Sequence, residues 1–347
     1  MSFRRFSLFT LFLLWLGAQA SLPAAAKKPA PAPTGTYKGA IVMDATSGQV
    51  LIEENADQIS PPASMTKLMT FAVLDDQIHA GVLTLQTPVT VTAADAKMGG
   101  TQVWLADKEV FSVEELTYAM MIQSANDAAH ALARTAAGSV EAFVALMNAK
   151  ARALGMTHTT FVTPHGLPPV GRKIADGDLT TPRDFALLCR YLLTKTEVLK
   201  YTSVKERVFR ANSPTHAITM INHDHLLHVD GVDGLKTGYT EAAGYCLSST
   251  AQRNGQRVIV VIMGSFGPNG QIDLGKFRDI KATELIERGF AALPANGAKF
   301  TGPTAPTTNT PVVPTAAQEG SPIVPASPPP ATDSLPMVIF TPPGQKK

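Results

Sequence analysis

Three short stretches of this 347-residue chain carry side chains that do chemistry when they meet. In the first, Ser64-Met65-Thr66-Lys67, a hydroxyl precedes an amine by three residues, a spacing that puts both on one helical face. Pro61 and Pro62 stand just before it, and proline suits a helix entrance but not its interior. Ser64 is therefore expected in or near a first turn, where unpaired backbone N–H groups could hold a developing negative oxygen. Taken alone, the pattern reads also as the surface of a capped helix. In the second stretch, Ser124-Ala125-Asn126 opens a run of small residues after an apolar helix, which alone reads as a kink or a cap. The third, Lys236-Thr237-Gly238, lies inside a β-rich run and alone reads as a solvated strand edge. Order and setting join them: S-x-x-K, S-x-N and K-T-G follow one another, each on the kind of element that nucleophilic catalysis by serine needs.

The elements that must position these residues follow from periodicity and turn chemistry. The body opens with YKGAIVMDATSGQVLIEENAD, two β-rich runs joined around Ser47-Gly48. It closes with DGLKTGYTEAAGYCLSSTAQRNGQRVIVVIMGS, three β-rich runs in which Asn254-Gly255 marks a tight antiparallel turn. Helical patterns fill the middle, over 65–78, 113–136, 140–154 and 182–193, and another spans 276–290. The 182–193 helix has Thr181 as its cap, Pro182 in its first turn and Asp184 near the positive end of its dipole. Strands from both ends of the chain must share one five-stranded antiparallel sheet, with a mostly helical insertion between them, an α+β layout.

Composition sets the limits of that body. The chain is 45% hydrophobic and 17% charged, enough to bury a full core, and its net charge of +2 gives no reason to expect a nucleic-acid partner. G-x-G-x-x-G and P-loop patterns are absent. At the N-terminus Arg4 and Arg5 precede an apolar run over 8–16, and Ala18-Gln19-Ala20 offers a small-x-small cleavage site before Ser21. Residues 1–20 are expected to be a secretory signal peptide; the alternative, a membrane anchor, needs roughly 20 apolar residues. An Ala/Pro-rich tether follows over 21–36, the body spans 37–294, and residues 295–347 are expected to be a disordered Pro-rich tail. Cys189 and Cys246 both sit in apolar stretches, where two free thiols and one bridge remain equally open.

With these motifs in hand, the sequence resembles the serine DD-peptidases of the low-molecular-mass penicillin-binding proteins, the D-alanyl-D-alanine carboxypeptidases. The likeness runs from GAIVMDATSGQVL through PPASMTKLMT, MIQSANDAAHALA, MNAKARALGMTHTTFVTPHGLP and GVDGLKTGYTEAAGYCL to the last helix. It implies a penicillin-binding-protein/β-lactamase-like fold and a peptidase of peptidoglycan stem peptides that β-lactam antibiotics inhibit covalently, without a cofactor. It further implies a secreted protein, periplasmic or extracellular, associated with the cell wall, with wall or membrane as a peripheral partner. Where many members of the group add a small β-domain and an amphipathic C-terminal helix, this chain turns Pro-rich instead.

The resemblance assigns roles. Ser64 would attack the carbonyl between two D-alanines, and a serine hydroxyl needs a base to do so. Lys67 is the candidate base, which asks its surroundings to lower an ordinary lysine pKa of about 10.4 by roughly 3 units, with Lys236 as the second cation. Ser124 would relay a proton to the leaving amine, and Asn126 would bond Lys67 and the substrate backbone. The N–H groups of Ser64 and Tyr239 would form the oxyanion hole. Lys236 and Thr237 would bind the terminal carboxylate, with Gly238 leaving room for the substrate along the strand. Arg278 reads as a helper for that carboxylate or as a solvated surface arginine. His223, Asp224, His225 and His228 could suggest a metal, yet their spacing matches no H-E-x-x-H pattern and no Cys/His pair completes a set, so no metal is expected. His165 reads as a turn or rim residue. A β-lactamase or a DD-endopeptidase using the same serine is the alternative function. Against the β-lactamase, no glutamate occurs between Glu141 and Glu197, and the loop after the S-x-N helix offers only Asp176 and Asp178.

Overall fold

The computed structural model describes residues 35–168, 173–213 and 215–306. The expected signal peptide, all but the last two residues of the tether and residues 307–347 of the tail lie outside the described residues. Among the described residues, no helix is long and apolar enough to cross a membrane.

In chain order the elements are β1 (Gly39–Asp44), β2 (Val50–Glu54), α1 (Lys67–His79), β3 (Pro88–Thr90), α2 (Ala93–Ala96), β4 (Val110–Ser112), α3 (Val113–Tyr118) and α4 (Asn126–Ala137). Then follow α5 (Val140–Ala153), α6 (Pro182–Lys195), α7 (Leu199–Thr202), β5 (Glu206–Phe209), β6 (Ile218–Ile221), β7 (Val232–Thr240), β8 (Gly244–Arg253), β9 (Gln256–Ser265) and α8 (Lys276–Ala292). The main sheet has five strands in the order β2-β1-β9-β8-β7, all antiparallel neighbours. β1 pairs with β9, from Gly39 opposite Met263 to Asp44 opposite Val258, so the two chain ends do share one sheet.

The run VIVVIM in β9 is apolar at every position because both sheet faces are covered. Val258, Val260 and Ile262 turn to one side, where Ala282, Leu285 and Ile286 of α8 meet them. Ile259, Val261 and Met263 turn to the other, into the main core with Leu68 and Met69 of α1, Leu132 of α4, and Phe185 and Leu188 of α6. The Thr181 cap accepts a hydrogen bond from the Asp184 N–H at 3.1 Å, as the sequence predicts for α6.

Three expectations change. The helix expected over 113–136 breaks: after α3, residues Ala119–Gln123 form a wider π turn, and Ser124 adopts a left-handed φ of 65° before α4 begins. Periodicity cannot see this, because the break keeps an apolar face on both sides. Two small ribbons, β3–β4 and β5–β6, escape the sequence reading because strands of three and four residues are too short to alternate visibly. The folded body also runs past Pro294, where the tail was expected to begin. Phe300 is 7% exposed, its N–H reaches the Gly255 carbonyl at 2.8 Å, and its ring lies 5.1 Å from the buried Arg257 guanidinium. At the other end Thr36 pairs with Phe266. Cys189 and Cys246 are free and buried; burial pushes their thiols up to about 12 and about 11.

Candidate active site

Ser64 sits in a 3-10 turn, Ala63–Thr66, that runs directly into α1 at Lys67. In a 3-10 turn residues i and i+3 nearly eclipse, more closely than in an α-helix. The Lys67 Nζ lies 2.9 Å from the Ser64 Oγ as a result. The same nitrogen reaches the Asn126 Oδ1 at 2.7 Å and the His165 carbonyl at 2.8 Å. The Asn126 orientation is set by its other end, where Nδ2 donates to the Gly99 carbonyl at 2.8 Å, so Oδ1 must face the lysine.

This arrangement has a chemical consequence. Asn126 Oδ1 and the His165 carbonyl can only accept hydrogen bonds. A neutral Lys67 amine therefore spends its two hydrogens on them and turns its lone pair toward the Ser64 hydroxyl, the geometry of a general base. Lys67 is fully buried, and burial first, then the Lys236 charge, holds its pKa well below the ordinary lysine value against the pull of Asp178 and Asp127.

The K-T-G residues lie on β7, the sheet's edge strand, which packs against the Ser64 turn. Gly238 explains how closely: a Cβ there would stand 2.8 Å from the Pro62 carbonyl oxygen and 3.0 Å from the Ser64 nitrogen. This glycine thus serves strand-to-turn packing, a role beyond the room for substrate that the sequence reading gave it. The packing sets the Ser64 N–H beside the β7 backbone at Gly238. Lys236 and Thr237 are 3% and 6% exposed. Burial lowers Lys236 to about 7, with Arg278 adding to the shift and Asp224 opposing it. Arg278 is 4% exposed, not a solvated surface residue, and its guanidinium is held by Asp279 at 2.6 Å.

Ser124 is 3% exposed and stands at the end of the π turn, two residues before Asn126. Next to it the Asp127 carboxylate receives the N–H groups of Val103 and Leu105, at 3.2 and 3.0 Å, while the Asn126 N–H reaches the Thr101 carbonyl at 2.8 Å. The 99–105 segment is thereby fixed as a wall of the site. The opposite wall is 162–166. Asp178, 5% exposed, receives the N–H groups of Val162 and Thr163 and the hydroxyls of Thr163 and Thr66. His165 contributes its carbonyl; its ring is held neutral, at about 3, chiefly by burial and then by Lys67. Sequence reasoning missed the roles of Asp127, Asp178 and the His165 carbonyl, and for a backbone oxygen no side-chain signal exists.

The histidine-rich stretch disperses. His225 pairs with Asp279 at 2.9 Å and His228 bonds the Ser203 carbonyl at 2.8 Å, while burial and then Lys236 lower His223 to about 4. Among the described residues, no group of three His, Cys, Asp or Glu side chains could hold a metal ion.

Comparison with known proteins agrees with this geometry. A family model described as D-alanyl-D-alanine carboxypeptidase matches residues 26–267. The D-alanyl-D-alanine carboxypeptidase DacC of Escherichia coli is 39% identical over 70% of this chain. A D-alanyl-D-alanine endopeptidase of the same organism is 30% identical over 76% of this chain and 83% of its own length. The chain spans about three fifths of the curated carboxypeptidases it matches, 62% and 60% of two of them. Among solved structures, penicillin-binding protein D2 from Listeria monocytogenes in its ampicillin-bound form superimposes with a TM-score of 0.62 at 32% identity, covering 73% of this chain and 97% of that one.

Proposed function

This chain belongs to the D-alanyl-D-alanine carboxypeptidase family, and from that premise we propose that it removes the terminal D-alanine of peptidoglycan stem pentapeptides through an acyl-enzyme on Ser64. The observation that carries the reading is the Lys67 nitrogen, 2.9 Å from the Ser64 Oγ and bound otherwise to two acceptor-only oxygens. In the proposed reaction the Ser64 Oγ bonds to the penultimate D-Ala carbonyl carbon as its proton passes to Lys67. The N–H groups of Ser64 and Tyr239 hold the resulting oxyanion, an interaction worth about 3–4 kcal/mol per donor in comparable sites. Ser124 passes a proton to the leaving nitrogen, D-alanine departs, and water then cleaves the serine ester. Thr237, Lys236 and Arg278 receive the substrate's terminal carboxylate, for which two buried cations on β7 and α8 are suited.

The proposal includes location. A substrate in the wall needs an exported enzyme, and the n-region, apolar run and Ala18-Gln19-Ala20 of residues 1–20 support secretion to the periplasm or beyond. β-Lactams are proposed as covalent inhibitors at Ser64, which the ampicillin-bound relative supports.

A second reading, cutting of D-Ala cross-links as an endopeptidase, is favoured by the endopeptidase relative, of which this chain spans 83%. A β-lactamase reading lacks support: Asp176 is exposed on the surface, and both oxygens of Asp178 are filled by donors. Incubating the protein with purified muropeptides and reading the products by mass tests the proposal. Pentapeptides shortened by one D-alanine are expected; conversion of cross-linked dimers to monomers without that shortening selects the endopeptidase, and unchanged muropeptides refute both.

A further inference from the structure

Asp178 is a buried acidic residue near the reacting pair that the mechanism above leaves unused. Its Oδ1 receives the Val162 N–H at 2.6 Å and the Thr163 N–H at 2.9 Å. Its Oδ2 receives the Thr163 hydroxyl at 2.7 Å and the Thr66 hydroxyl at 3.1 Å. Thr163 Oγ1 itself accepts the Gly166 N–H at 2.8 Å, which commits its own hydrogen to Asp178. Four donors thus converge on two oxygens and leave no room for a proton, so the group is held as a carboxylate although burial pushes its pKa up.

Thr66 lies between Ser64 and Lys67, and 162–166 delivers the carbonyl that Lys67 bonds. A second tie, from the Thr70 hydroxyl to the Pro164 carbonyl at 2.6 Å, fastens the same segment one turn further along α1. Gly166 closes the junction: at φ 86° it backs onto the Ala63 carbonyl so tightly that a Cβ would overlap it. We propose that Asp178 is a positioning residue for the nucleophile and its base, clamping the Ser64–Lys67 turn to the segment whose His165 carbonyl aims the Lys67 amine. It touches neither reacting atom; it fixes the distance and direction between them. The inference rests on the carboxypeptidase reading of Ser64 and Lys67.

The clamp is also a charge. Lys67 is faced by Lys236 from β7, by Asp127 beside Asn126 on α4, by Asp178 and His165 from the segment before α6, and by His223 from the loop before β7. Asp178 offsets part of the Lys236 field. Neutralising it should let Lys67 give up its proton more readily, so the rising limb of acylation against pH moves toward acid by about one unit. Losing the clamp should lower the plateau by about tenfold or more, because the amine's aim is no longer fixed.

The test is the second-order rate of labelling by a fluorescent penicillin from about pH 5 to about pH 10, on the full chain and on Asp178→Asn and Asp178→Ser. Asparagine presents an N–H where donors already stand; serine is smaller and admits water to satisfy them. A lower plateau with the limb displaced toward acid supports the proposal. A limb that stays in place or moves toward base in both variants, or an unchanged plateau, overturns it. If neither variant melts cooperatively while the parent does, Asp178 serves the fold alone and the proposal also fails. A parent chain that takes no label at any pH sinks the reading beneath it, and the inference with it.

Discussion

Lys67 can serve as a base because its surroundings disfavour its charge while its neighbours consume its hydrogens. Removing the nucleophile tests one half of that statement: Ser64→Ala should abolish covalent labelling by penicillin and leave the melting curve cooperative, as monitored by gel fluorescence and circular dichroism. Lys67→Arg tests the other half. A guanidinium keeps its proton at any working pH, so labelling should fall by about 10²- to 10⁴-fold, the usual contribution of a general base. Lys236 gives a pH prediction with a definite sign. Lowered by burial to about 7, it is charged below that pH and neutral above, so KM for a carboxylate-bearing peptide should rise as pH climbs through about 7. A KM flat across that range would remove Lys236 from carboxylate binding. At this scale the contact of Ser64, Lys67 and Asn126 was legible, because S-x-x-K and S-x-N fix residue type and order. Asp127 and Asp178 were not, since they act through backbone N–H groups brought near by tertiary packing, and a buried carboxylate in a loop leaves no pattern.

Elements place these residues through departures from regularity. The Ser64 turn is 3-10 and not α, Ala63 takes a φ of 50°, and Ser124 stands at φ 65° after a π turn. Backbone strain of this kind persists where surrounding structure over-determines it, and it gathers at functional sites. The helix boundaries at 182 and 276 were readable from caps and periodicity; periodicity ran straight through the break at Ser124, which only the reading of Ser124-Ala125-Asn126 as a kink or a cap touched. β7 and the Ser64 turn meet only where position 238 has no side chain. Gly238→Ala should therefore push strand and turn apart, lowering the acylation rate by about 100-fold while costing about 1–3 kcal/mol of stability. Stopped-flow acylation set beside a denaturant melt checks both numbers. An alanine variant that acylates at the parent rate would show that the contact is not what sets the oxyanion donors.

The whole molecule is a doubly covered sheet whose edge strand closes the site against a helical insertion, and the sequence foretold this because strands at both chain ends had to pair. Its C-terminal limit was hidden. Residues 295–306 read as low-complexity, yet Phe300 lies over Arg257, whose guanidinium holds the Asp233 carboxylate at 2.6 Å just ahead of the K-T-G residues. Composition registers a tail's average and not one aromatic within it. Phe300→Ala should cost about 3 kcal/mol by denaturant melt, whereas a chain ending at Pro306 should match the full chain in both stability and labelling. The central claim, that Ser64 is the nucleophile of a carboxypeptidase, meets its most direct test in the intact mass of the protein mixed with excess benzylpenicillin, with released penicilloate followed in the same sample. The account predicts one penicilloyl adduct per chain, mapped to Ser64, that accumulates and persists while a D-Ala-D-Ala peptide is turned over far faster. Rapid multiple-turnover release of penicilloate with no accumulating adduct, or an adduct on any other residue, would contradict it.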